Sequence, residues 1–250
     1  MSRVKNFLLL AFYFLVVNGL ALLSAAWAVI SLGRGEYPTV VVVLAFAFAF
    51  VGLEASLLLV MLGKVTPRAE YTDQGTTIRP DRAVDGLLQW ATVAAVIAVT
   101  TYAIFTPLKK IDIPLPYGKR MFLVLAIGTA LTGIANLWTL LKRGGVSFLR
   151  LHQHGFELGQ GISSVDGAWD DIADIADRRP GKSPPFRATL FVVFHDGRTR
   201  TVAVDSYTPK GAALRRFVRF YWLNPDQRGE LTDGRAVQRL ADERFASGSS

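Results

Sequence analysis

The sequence contains no cysteine. That absence excludes disulfides, iron–sulfur clusters and thiol catalysis. Histidine is almost as scarce, with three residues in 250. No G-x-S-x-G, Walker, H-E-x-x-H or dinucleotide fingerprint occurs, so no cofactor or catalytic motif is found and the chain does not read as an enzyme. A further absence is local: residues 145–250 contain no long apolar run.

Such runs fill the other part of the chain. Four of them extend over Asn6–Leu32, Pro38–Leu62, Leu87–Pro107 and Arg120–Leu141. Each meets or exceeds the ~20 residues that a helix needs to cross a hydrocarbon core of ~30 Å. The chain therefore reads as an α+β membrane protein, with a four-helix transmembrane bundle in residues 1–144. A β-rich domain is expected in 145–226, and a C-terminal helix with a frayed tail (Ser247–Ser250) in 227–250. Arg3, Lys5 and the Ala26-Trp27-Ala28 sequence resemble a signal peptide with its cleavage site. The apolar segment before that site is longer than the ~7–15 residues of a signal h-region, so a retained anchor is expected.

The net charge of +8 is unevenly spread. Residues 1–144 carry 13 basic and 7 acidic side chains, and residues 145–250 carry 15 and 13. The basic excess lies at the ends of the apolar runs, where it suits anionic lipid headgroups rather than nucleic acid. With the N-terminus inside, nine basic residues fall on the cytoplasmic side (Arg3, Lys5, Lys64, Arg68, Arg79, Arg82, Lys142, Arg143, Arg150) and five on the other (Arg34, Lys109, Lys110, Lys119, Arg120). Both termini are therefore expected in the cytoplasm. The Pro-rich loop Lys109–Arg120 runs against this rule, being basic on the outer side.

The segment Lys64–Gly86 carries a turn signal at Gln74-Gly75, and Pro80-Asp81 starts the next helix. It is either a small hairpin lying on the C-terminal domain or a plain polar loop. From Ser147 the pattern alternates: strands are expected at Ser147–His152, Phe156–Leu158, Ala168–Ile175, Ala188–His195 and Thr199–Asp205. Asp196-Gly197 is a strong hairpin signal. A helix follows over Lys210–Leu223, with Leu214, Phe217, Val218 and Tyr221 on one face, and another over Asp233–Phe245.

Strands closed by one amphipathic helix resemble the pleckstrin-homology-like (PH-like) domains attached to membrane spans in bacteria. The residues that carry the resemblance are Gly155-Phe156-Glu157-Leu158, Trp169-Asp170-Asp171-Ile172, the Asp196-Gly197 hairpin and the helix Lys210–Leu223. The resemblance covers residues 147–223. It implies a small β-barrel or sandwich that acts as a binding or scaffolding module. Phosphoinositide-binding PH domains carry several Lys and Arg in the first hairpin, where this chain has His152-Gln153-His154.

Several residues are candidates for function. Glu54 is the one charge deep inside an apolar run, ~12 Å from its cytoplasmic end at ~1.5 Å per residue. Asn136 lies at a similar depth and is a candidate partner. Ala45, Ala49, Gly52 and Ser56 form a small-residue stripe suited to close helix packing, while Glu54 lies on the opposite face beside Ala47, Phe50 and Leu58. Helix 2 therefore wants protein on both sides, from neighbouring helices or another subunit. A similar stripe in the fourth run, Gly128, Thr132, Ala135 and Thr139, fits internal packing. Arg215, Arg216, Arg219 and Trp222, with Lys142 and Arg143, are candidates for contact with a membrane surface or a partner. The cluster Asp166, Asp170, Asp171, Asp174 and Asp177 lacks accompanying ligands. His152 and His154 lack a third ligand unless His195 joins them.

The expected role is an accessory or scaffold subunit that assembles or stabilises a larger membrane complex, with the lipid bilayer and another membrane protein or a second copy of itself as partners, and no nucleic acid. The competing class is a small transporter or channel that uses Glu54. The Ala-, Val- and Arg-rich composition suits the inner membrane of a GC-rich bacterium. Some small membrane proteins of actinobacteria assist lipid import, though no motif here ties the chain to that process.

Overall fold

The computed structural model describes residues 2–111, 113, 119–161, 163–177 and 187–245, with backbone alone for 2–7 and 119–120. Pro114, Pro116 and the tail Ser247–Ser250 lie outside the described residues. Four long helices form from the four apolar runs: α1 (Ser2–Gly33), α2 (Tyr37–Met61), α3 (Arg82–Phe105) and α4 (Lys119–Arg143). All four are long and apolar enough to cross a membrane.

Their ends follow local chemistry. After α1, Gly35 takes φ 72°, its amide bonds Leu32 O, and the Glu36 amide bonds Ser31 O. The same six-to-one and five-to-two pair closes α2, where Gly63 has φ 66° and Lys64 bonds Leu59 O. Glycine fits both positions because a left-handed residue there meets no Cβ penalty. At the end of α3 the motif recurs with Lys109 in the left-handed position. Asp81 caps the start of α3 by accepting from the amides of Ala83 and Val84, and its second oxygen accepts from the Thr66 amide and hydroxyl. Burial alone would raise the Asp81 carboxyl, but these bonds outweigh it and hold it below its ordinary range.

Contacts divide the chain into two units: Met1–Leu57 with Gly86–Gly144, and Leu58–Asp85 with Gly145–Ser250. This differs from the division read from the sequence, in which residues up to 144 stayed with the helices. The reason is backbone pairing. β1 (Arg68–Thr72) and β2 (Gly75–Arg79) form a hairpin across Asp73-Gln74, and β2 zips antiparallel onto β3 (Ser147–His152), with Ile78 opposite Leu149. Gly75 is required there: a Cβ would sit 2.3 Å from the Leu151 carbonyl oxygen.

The first sheet runs β1-β2-β3-β4-β5, with β4 at Gly155–Gln160 and β5 at Ser163–Ala168. The second runs β6-β7-β8, at Ile172–Ala176, Thr189–Phe194 and Thr199–Ala203. Among the described residues the two sheets stay separate and no barrel closes, which corrects the barrel form of the barrel-or-sandwich expectation. A 3-10 turn at Trp169–Asp171 interrupts the strand expected over Ala168–Ile175, and the Trp169 ring, 1% exposed, plugs the core there. The Asp196-Gly197 signal marks the β7–β8 hairpin, with Gly197 at φ 82°.

One hydrophobic core joins both sheets to α5 (Ala212–Leu223). Leu151 and Phe156 come from one sheet, Leu190 and Val202 from the other, and Leu214, Phe217 and Tyr221 from α5. The separate C-terminal segment read at 227–250 does not stand apart. Leu231, together with Ala236 and Leu240 of α6 (Arg235–Ala241), is buried in the same core. The Thr76 hydroxyl donates to Leu231 O at 2.7 Å.

Candidate functional site

In the helical unit, two polar side chains in the spans form an inter-helix pair. Asn18 Nδ2 donates to Glu54 Oε1 at 2.6 Å and to Phe14 O at 2.9 Å. The short turn between α1 and α2 places both residues ~23–25 Å from that turn at ~1.5 Å per residue, so they meet at one depth. Asn136, the partner suggested by the sequence, does not take this role. Its Oδ1 is buried with no hydrogen-bond partner among the described residues. Asn18 was missed, although an amide in the middle of an apolar run is itself a signal.

The pair faces outward: Asn18 is exposed and Glu54 half-buried, with Leu15 (72% exposed) and Leu22 (71%) on the Asn18 face. The opposite face of α2 is packed. Ala45, Ala49, Gly52 and Ser56 are buried, and a Cβ on Gly52 would lie 3.0 Å from Ala91 Cβ and 3.2 Å from Leu87 O of α3. Small side chains allow this approach without the driving force that water would supply.

On α4 the face that packs inward carries Gly133, where a Cβ would come within 2.6 Å of Val96 Cγ2. The stripe of Gly128, Thr132 and Ala135, expected to pack internally, is exposed. Its Thr132 hydroxyl returns to Gly128 O at 2.9 Å, and Thr139 returns to Ala135 O at 2.9 Å. That leaves the stripe a shallow, self-satisfied surface. Near the end of α4, Lys142 Nζ lies 5.0 Å from the centroid of the Trp138 ring, and Arg143 is half-buried.

In the β unit, Arg215, Arg216 and Arg219 of α5 line a cleft of about 170 Å³ whose apolar walls are Ile175, Leu190 and Ala212. Arg215 reaches Asp177 at 3.5 Å, Arg216 pairs with Glu243, and Arg219 makes no ion pair or hydrogen bond among the described residues. Trp222 does not line the cleft; it is half-buried against the core.

The remaining polar groups in the β unit build structure. Arg239 clamps Glu230 at 2.7 and 2.8 Å, and the Tyr221 hydroxyl donates to the same carboxylate at 3.0 Å. The Arg239 bonds hold Glu230 below its ordinary value, against burial, while burial and Glu230 push the Tyr221 hydroxyl up. Arg228 donates to the Tyr221 and Trp222 carbonyls and stacks 5.1 Å over Trp169. Burial pushes Tyr207 up to about 12, although its hydroxyl donates to Ser147 Oγ at 2.9 Å.

The five aspartates fall apart into separate roles. Asp166 lies in β5 opposite Glu157, Asp170 and Asp171 lie in the 3-10 turn, Asp174 lies in β6, and Asp177 meets Arg215. The His152 and His154 rings are 6.5 Å apart, and no group of three His, Asp or Glu able to hold a metal occurs among the described residues. No family model, curated protein or solved structure matches the chain.

Proposed function

We propose that this chain is a non-enzymatic membrane subunit whose helices assemble with another membrane protein or a second copy, and whose β unit is a PH-like binding or scaffolding module. The carrying observation is the Asn18–Glu54 hydrogen bond on the outer face of α1 and α2. A charge at the centre of a span costs roughly 2.5–3.5 kcal/mol on insertion scales, and polar groups in spans are kept off lipid by protein. A further helix laid over Asn18 provides that cover. The exposed small-residue face on α4 offers a second place for close helix contact.

Support for the PH-like part comes from two antiparallel sheets followed by α5, whose apolar face enters their shared core. The nine-to-five basic asymmetry supports cytoplasmic termini in an inner membrane. An extracytoplasmic reporter fused at Ser250 stays inactive on this reading, and its activity reverses the orientation.

The assembly reading is tested by native mass of the protein purified in mild detergent. Glu54→Gln keeps the hydrogen bond and the assembly. Glu54→Leu and Asn18→Leu release the chain from it while it still inserts in the membrane. If the two Leu variants keep the wild-type mass, the polar face has no partner. If Glu54→Gln keeps the mass but abolishes the cellular phenotype, Glu54 must titrate, which is the signature of the transporter reading.

A further inference from the structure

We propose that the α5 cleft is a binding site for a phosphate-bearing anion. Three features converge there. Arg215, Arg216 and Arg219 bring three guanidinium groups to one pocket of about 170 Å³. The guanidinium fork matches phosphate oxygens in bidentate geometry and stays charged at all physiological pH values. Ile175, Leu190 and Ala212 wall the pocket with apolar surface, which lowers local screening and strengthens a charged contact.

The cleft is incompletely neutralised by the chain itself. Arg219 is exposed and has no partner among the described residues. The Asp177 carboxylate that meets Arg215 is 65% exposed and 3.5 Å away, a loose contact that an anion can replace. Arg216 is shared between Glu243 and the Phe245 ring, 5.4 Å from its centroid. No acidic residue interrupts the sequence from Ser206 to Pro225, so α5 and the segment leading into it add none of their own. Ala212 places the cleft at the first turn of α5, where the helix dipole also favours negative charge.

A doubly charged phosphate can neutralise two of these guanidinium groups at once, whereas a single carboxylate neutralises one. The ligand is therefore a phosphate group, supplied either by a lipid headgroup or by a free phosphate compound. This site is separate from the first hairpin at His152-Gln153-His154. It does not depend on the assembly of the spans.

Hydrogen exchange of α5 in the full-length chain tests the proposal in two arms. In phosphate-free maltoside detergent, inorganic phosphate is compared with chloride at equal ionic strength. In nanodiscs, phosphatidic acid, whose phosphate is a monoester, is compared with phosphatidylcholine. Protection of residues 212–223 by phosphate in detergent is expected if the site takes free anions; protection in phosphatidic acid alone assigns a lipid headgroup. Either effect should weaken by roughly tenfold in apparent affinity for Arg219→Ala, about 1.4 kcal/mol, and further when Arg215→Ala is added. Arg219→Lys should recover only part of it, because the ammonium lacks the fork. Unchanged exchange in strands β7 and β8 confirms that each variant is folded. Equal exchange in all four conditions overturns the proposal, as does protection that survives in the double variant.

Discussion

The two units use apolar side chains in opposite directions. In the β unit, 23 buried residues among those described make one continuous core around Trp169, Phe217 and Tyr221. In the helical unit the buried cluster among the described residues has three, Val42, Tyr102 and Ala126, and only 6% of the most apolar stretch of α1 is buried. Leu, Val and Phe on the helices point outward instead. Water drives the first arrangement, by roughly 25 cal/mol per Å² of apolar surface removed from it. Hydrocarbon removes that drive, so the helices rely on close approach at glycine and alanine and on a few hydrogen bonds. Polar groups consequently carry different meanings. In the β unit Glu230 is bonded to Arg239 and Tyr221 and buried; in the helices Asn18 and Glu54 meet on an exposed face.

The largest expected effect tests the water-driven core. Phe217→Ala empties a fully buried position between α5 and both sheets, at a cost of roughly 3–5 kcal/mol. Thermal unfolding of the full-length chain in detergent should lose the β-unit transition, while helical circular dichroism from the spans persists. A single unchanged transition would show that the core does not depend on α5.

A smaller loss is expected where helices pack through glycine. Gly133→Val must displace Val96, at about 1–3 kcal/mol for overpacking. The readout is resistance of the helical signal to sodium dodecyl sulfate, with the β unit unaffected. Gly128→Val on the exposed stripe of α4 meets nothing within 4 Å and should leave the isolated chain's resistance as it is.

Arg239→Ala should cost about 1–3 kcal/mol, because Glu230 keeps its burial but loses its main donor. The pH dependence sharpens this. Glu230 sits below 4.5 in the folded chain, so its contribution is present above that value and is lost as pH falls through its lowered one. Arg239→Ala should flatten that acid limb. An identical acid slope in both proteins would remove the clamp from the account.

Much of this was legible from periodicity. The four spans, β3, the Asp196-Gly197 turn and α5 all follow apolar patterns of the right length and period. What escaped has a physical reason in each case. β5, Ser163–Ala168, is an edge strand with no fully buried residue, so no alternation marks it. The β1–β2 hairpin looked equally like a loop because its pairing partner, β3, is more than 70 residues away in sequence. Asn18 escaped because depth pairs Glu54 equally well with Asn136, and nothing in the sequence says which helix packs beside Glu54. The arginine face of α5 was visible, but its cleft depends on Ile175 and Leu190 from other strands.

The most direct measurement places a photo-crosslinking residue at Leu22, four residues from Asn18 on the same exposed face of α1. Illuminated in its native membrane, the full-length chain should give a protein adduct of defined mass, either twice its own or that of one partner. The adduct should disappear when Asn18→Leu is added. If Leu22 captures lipid alone, or captures the same protein without Asn18, the polar pair on α1 and α2 is not an assembly face.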